Sequence, residues 1–148
     1  MTLKAMISDD MKAAMKAREA RRLSGIRLLL AGIKQREVDE RKDLSDAEVI
    51  SVIERMIKQR RDSIGQFLAA GRQDLVDQET FELNLLLGYL PKQLSDEDVA
   101  KEVSDAVAQT GAKSAADMGK VMGVLKGKLS GRADMGKVSA LVKARLAG

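Results

Sequence analysis

The 148-residue chain contains no histidine, no cysteine and no tryptophan. Those absences exclude zinc fingers, thiol redox centres, disulfide frameworks, cysteine nucleophiles and every histidine-based triad or acid–base pair. No metal site and no cofactor are expected. Proline occurs once, at Pro91, and the aromatics are Phe67, Phe81 and Tyr89 alone. The core must therefore be aliphatic, which favours helices, because strands prefer β-branched and aromatic residues. An all-β or α/β domain with so few turn breakers would be unusual. The expected class is all-α. No apolar run approaches the roughly 20 residues of a membrane span. The densest stretch, Leu83 to Leu90, is interrupted by Asn84 and Gly88. The opening Met1-Thr2-Leu3-Lys4 leads into amphipathic charge and not into a signal-peptide core. A cytoplasmic protein with no membrane association is expected.

What is present is helical periodicity. Leu3, Met6, Ile7, Met11, Ala14 and Met15 recur at spacings of three and four and predict a helix over residues 2–17. A second helix is predicted from Glu19, with Leu23, Ile26, Leu30 and Ile33 inward. Gly25 and Gly32 share one of its faces, as a close backbone approach would require. Val38 to Asp43 reads as a charged connection. Ser45 and Glu48 then form a capping box for a third helix that runs to about Ala70. Its stripe is Val49, Ile50, Ile53, Met56, Ile57, Ile64, Phe67 and Leu68. Gly71 stops it, and Arg72 opens a fourth helix carrying Leu75, Val76, Leu83, Leu86, Leu87 and Leu90, ended by Pro91. Helices three and four should form a hairpin about Gly71. Arg60 lies on the apolar stripe, seven residues after Ile53 and four before Ile64. The hairpin sets it opposite residue 82, so Glu82 or Glu79 is its expected partner in a structural ion pair.

The segment from Leu90 to Leu94 divides a helical hairpin domain, residues 1–91, from a small three-helix tail domain, residues 95–148. Ser95 and Asp98 make a second capping box, opening a helix that Gly111 stops. The tail also contains an internal repeat. Ala116-Asp117-Met118-Gly119-Lys120-Val121 recurs as Ala133-Asp134-Met135-Gly136-Lys137-Val138. Two short helices are implied, each capped by its aspartate, with Ser130-Gly131 as the turn between them. Two helix starts that need the same cap and apolar anchor would also explain the repeat.

Charge follows the same division. Residues 114–148 hold seven cations and two anions, a net charge of +5, against −1 for residues 1–113. A basic module on a neutral scaffold points to a polyanion, or else to plain solvated lysines. On the first tail helix, Met118, Val121, Met122, Leu125 and Leu129 make an apolar stripe. Gly119, Gly123 and Gly127 form a row beside it, flanked by Lys120 and Lys126. Such a row admits another backbone closely, from either a neighbouring helix or a sugar-phosphate chain.

Several motifs resemble the GatB/YqeY family of bacterial proteins. They are Lys58-Gln59-Arg60-Arg61-Asp62-Ser63, Ala70-Gly71-Arg72-Gln73-Asp74-Leu75, and Tyr89-Leu90-Pro91 with Leu94-Ser95. The run from Asp117 to Gly123, Gly131-Arg132-Ala133-Asp134 and Val142-Lys143 carry the resemblance into the tail. It covers nearly the whole chain, in order and at matching spacing, and points to the free-standing YqeY-like branch. That branch is similar to the C-terminal part of the B subunit of the tRNA-dependent glutamine amidotransferase. The resemblance implies two helical subdomains, of which the tail docks on tRNA. The candidate RNA-binding residues are Gly119, Lys120, Gly123, Lys126, Gly127, Lys128, Arg132, Lys137, Lys143 and Arg145.

Catalysis is not carried over. The kinase site of the B subunit lies in a part absent here, and glutaminase chemistry belongs to another subunit. Gly127-Lys128 is followed by Leu129, so no Walker-type loop exists. The expected function is a non-catalytic accessory protein that binds tRNA or another structured RNA. A component of a carbon–nitrogen ligase reaction with glutamine as amido-N-donor is one alternative. A helical adaptor for a protein partner in translation is the other.

Overall fold

The computed structural model describes residues 1–147. It is all-helical, with no strand among the described residues, and forms two compact units: Met1–Leu90, and the residues from Pro91 on. No helix among the described residues is long and apolar enough to cross a membrane.

The first unit is built from α1 (Leu3–Lys16), α2 (Ala20–Glu40), α3 (Asp46–Ala69) and α4 (Gln73–Leu87). Thr2 caps α1, its hydroxyl accepting the Ala5 N–H at 3.1 Å. Ile7 and Ala14 of α1 meet Ile26, Leu29 and Ile33 of α2, Val49, Ile53 and Ile57 of α3, and Leu86 of α4 in one aliphatic core. The two α2 glycines serve this packing. A Cβ at Gly25 would lie 2.7 Å from Leu85 Cδ2, and one at Gly32 would lie 3.3 Å from Met56 Sδ. Their missing side chains let α4 and α3 sit close against α2.

Several boundaries differ from the sequence reading. Val38 to Glu40 belong to α2, and the connection begins at Arg41, which turns the chain in the left-handed region at φ 55. The fourth helix ends at Leu87, well before Pro91. Gly88, Tyr89 and Leu90 follow in tight turns, the last two N–H groups bonding back three residues to Leu86 and Leu87. Met6, Met15 and Leu68, expected inside, stand 47%, 48% and 57% exposed.

A polar cluster ties the α2–α3 connection down. Glu37 is buried, with Lys4 Nζ at 2.7 Å, and accepts the Leu44 N–H at 3.0 Å. Glu48 completes the capping box with Ser45 and meets Lys42 Nζ at 2.7 Å, while Arg36 pairs with Glu40. The hydrogen bond from Lys42, then the Ser45 N–H, hold the Glu48 carboxyl down at about 2. The same logic, led by Lys4, lowers Glu37. A depressed carboxyl stabilises the fold above its unfolded pKa, and that stability is lost as pH falls through the folded value. Unfolding free energy should therefore decline below pH about 4.5 and continue to decline towards pH 2. Glu48→Gln should flatten that decline when urea midpoints are compared across pH. An identical acid limb in the variant would refute the role of this carboxylate.

Arg60 of α3 lies between two carboxylates of α4. Its Nη1 is 3.2 Å from Glu79 Oε2 and its Nε 3.1 Å from Glu82 Oε2. The Nε contact is one of charge and not a directed hydrogen bond. At the other end of α4, the Tyr89 hydroxyl donates to Asp10 Oδ2 of α1 at 2.6 Å. Burial, then this bond, push the phenol upward.

The second unit comprises α5 (Asp96–Thr110), a short 3₁₀ turn at Ala115–Asp117, α6 (Met118–Leu129) and α7 (Met135–Ala147). Ser95 caps α5 by accepting the Asp98 N–H at 3.1 Å. The return bond of a full capping box is not among the described hydrogen bonds, since an Asp is one methylene shorter than the Glu that normally makes it. Val99, Val103 and Ala106 pack on Val121, Leu125 and Leu129 of α6 and on Val138, Val142 and Leu146 of α7.

Candidate nucleic-acid interface

The two repeated hexapeptides begin their helices differently. Asp134 caps α7, its Oδ1 accepting the Gly136 N–H at 2.9 Å. Asp117 does not cap α6. Its carboxylate turns back to accept the Lys113 N–H at 3.1 Å and closes the 3₁₀ turn instead. That bond, foremost, holds its pKa down, and the Lys120 charge contributes in the same direction. The expectation of two equivalent aspartate caps is corrected here. The residues ahead of the first copy, Lys113 and Ser114, offer it competing N–H donors.

The α6–α7 turn is held from the start of the unit. Gly131 is buried with φ +78, and its carbonyl accepts Gln93 Nε2 at 2.6 Å. The Arg132 carbonyl accepts the Leu94 N–H at 2.9 Å, so the Arg132 side chain projects from a fixed backbone.

Val121, Leu125 and Leu129 point α6 inward, and the opposite face carries the glycines. Gly119, Gly123 and Gly127 are exposed, and a Cβ added at any of them would meet nothing within 4 Å. Within the unit the row packs against no helix. Of the two uses open from sequence, this one is not served by α5 or α7. Lys120 and Lys126 border the row, and Lys128, Arg132, Lys137, Lys143 and Arg145 are exposed as well. None of the described ion pairs involves any of these seven cations.

One feature was missed in the sequence. The repeat offset carries the glycine row onto α7 as Gly136, Ala140 and Ala144, all exposed, with Lys137 and Lys143 beside them. Each helix thus presents a low ridge of small residues with cations at its edges. Alanine at two of the three positions concealed it, because alanine in a helix reads as a plain helix former.

An arrangement of this kind suits phosphates. Exposed lysines supply charge, and side-chain-free backbone lets a sugar-phosphate chain approach. No aromatic residue follows Tyr89, so the unit has no platform on which to stack bases. Among the described residues no group of three His, Cys, Asp or Glu is placed to hold a metal ion.

The family model described as Yqey-like protein matches residues 4–146. The chain belongs to this family. Curated relatives are fungal proteins named "Altered inheritance of mitochondria protein 41, mitochondrial". The one from Lachancea thermotolerans is 35% identical over 108 residues, 71% of this chain and 58% of its own length. Its counterpart from Eremothecium gossypii is 39% identical over 87 residues, covering 58% of this chain and 48% of the relative. That from Saccharomyces cerevisiae is 27% identical over 129 residues, 83% of this chain and 70% of the relative. The chain spans about half the length of the first two. The family therefore extends beyond the bacterial proteins that the motifs resemble, and members in fungi bear a mitochondrial designation.

Proposed function

We propose that this Yqey-like protein is a non-catalytic accessory that binds structured RNA, tRNA first among the candidates, through α6 and α7. The observation that carries the reading is the row of Gly119, Gly123 and Gly127, open along its length and bordered by Lys120 and Lys126. Recognition would be by backbone charge and shape, since no stacking residue is available. The chain's lack of histidine and cysteine leaves little acid–base or nucleophilic chemistry. Any part in glutamine-dependent amide transfer would accordingly be to hold RNA.

The test is filter binding of bulk tRNA to the full chain at several salt concentrations, with Gly123→Leu alongside. Polyanion binding should weaken steeply with salt, with a slope set by the phosphates neutralised. Leucine at 123 fills the open row without changing charge, and its Cβ would meet nothing within 4 Å. The variant should keep or raise its melting temperature, since leucine is a better helix former than glycine, and lose tRNA affinity. Absence of tRNA binding even at low salt would defeat the RNA reading and favour a protein-binding adaptor, and binding that ignores salt would defeat the phosphate contacts.

A further inference from the structure

The net charge of the first ninety residues conceals a local excess. Residues 12–27 carry six cations, Lys12, Lys16, Arg18, Arg21, Arg22 and Arg27, against the single anion Glu19. They surround the elbow between α1 and α2. Arg22 is half-buried and pairs with Glu19 at 3.3 Å, while Lys12, Lys16, Arg18, Arg21 and Arg27 are exposed and enter none of the described ion pairs. Arg21 lies over the Phe81 ring, 4.6 Å from its centroid, which fixes the guanidinium in place.

The elbow itself is built against local preference. Arg18 sits at φ 58, immediately after the α1 cap residue Ala17, a left-handed position that glycine occupies best. The same chain uses glycine at three other left-handed turns, Gly71, Gly111 and Gly131, so the substitution was available. Only at Arg18 and Arg41 does a large cation stand there. A residue held where another would be more stable is a pointer to function.

The surface beyond the elbow is open. Ala20 and Ser24 form a low ridge of small residues between two shallow grooves, Arg21 lining one and Arg27 the other. The acids of the first groove each face a cation, Asp74 with Arg72 at 3.1 Å and Glu82 with Arg60, which Glu79 shares, at 3.1 Å. Small residues on a ridge with a cation on either side repeat, on a different helix, the surface chemistry of α6 and α7. Leu28, 44% exposed, lies in the second groove, but charge and not apolar area dominates the patch.

We propose that the α1–α2 elbow is a second phosphate-binding surface, on which Lys16, Arg18, Arg21 and Arg27 hold the backbone of structured RNA. The partner class rests on the RNA reading above, but the surface does not share a residue with it.

Filter binding of bulk tRNA to the full chain, across a range of salt, separates the two claims. The variant Lys16→Gln, Arg18→Gln, Arg27→Gln should lower the salt slope by about 2–3 units, as three lost phosphate contacts require. If its affinity and slope match wild type while Lys120→Gln, Lys126→Gln, Lys137→Gln loses both, the elbow proposal is overturned and the α6–α7 reading stands. The converse pattern keeps the elbow and removes the α6–α7 reading. Unchanged binding in both variants removes both, and leaves the elbow cations to an acidic protein. Arg18→Gly supplies a check that misfolding cannot imitate. Its Tm should rise by about 2–6 °C as the left-handed strain is relieved, while the salt slope falls by about 1. A variant with raised Tm and unaltered tRNA binding would show that Arg18 does not touch RNA, and would overturn its place in the surface.

Discussion

Arg60→Met is expected to lower the unfolding free energy by about 3–5 kcal/mol. The side chain is 22% exposed and its partners Glu79 and Glu82 are 15% and 11% exposed, so water screens this cluster only weakly. Methionine fills much of the same space, which keeps a cavity from dominating the result. What remains is two carboxylates within the α3–α4 interface with no cation between them. They must either stay charged and repel one another or take up protons, and both cost stability at neutral pH. Urea unfolding measures the loss directly. Adding Glu79→Gln and Glu82→Leu to Arg60→Met should recover most of it, since removing a whole buried ionic group is often close to neutral. A loss below about 1 kcal/mol in the single variant, in the range of an exposed pair, would refute this account.

The triple change Lys120→Gln, Lys126→Gln, Lys137→Gln is expected to weaken tRNA binding across sequences and to flatten its salt slope by about 2–3 units. Each neutralised phosphate contributes roughly 0.7–0.9 to the slope, so the change counts contacts as well as detecting them. All three lysines are exposed and outside the described ion pairs, and glutamine is a comparable helix former. Stability should therefore move by no more than about 0.5 kcal/mol. Folding and binding are separable in this variant, as they are not in a core substitution. Unchanged affinity and slope would remove the lysines from the interface.

Much of this architecture could be read from the sequence, for local reasons. Ser45 with Glu48, Gly71 and Gly111 each satisfy or release the backbone at a helix end within a few residues, so their meaning travels with them. The misreadings arose where a distant or averaged property decides. Val38 to Glu40 is polar enough to be a loop, yet the helix continues because Glu37 is fastened to Lys4 and to the Leu44 N–H. Leu68 fits the α3 stripe but comes near the end of that helix, where it stands largely in solvent. The same six residues give a capping aspartate at 134 and a non-capping one at 117, because the N–H groups of the preceding loop compete for the latter. Charge was misjudged by averaging. A sum of −1 over residues 1–113, which run past the first unit, hid the cations of the α1–α2 elbow. The cation-flanked glycine row on α6 was visible as a pattern, but only the fold shows that neither α5 nor α7 covers it.

The Tyr89–Asp10 contact has an optical consequence. Tyr89, Phe67 and Phe81 are all the aromatics of the chain, and every one lies before Pro91. Ultraviolet absorption and intrinsic emission above the phenylalanine band therefore originate from a single phenol, fastened where the end of α4 meets α1. The second unit is silent at those wavelengths, although its helices contribute fully to far-ultraviolet circular dichroism. Following both signals through one denaturation separates the melting of the two units without label or truncation.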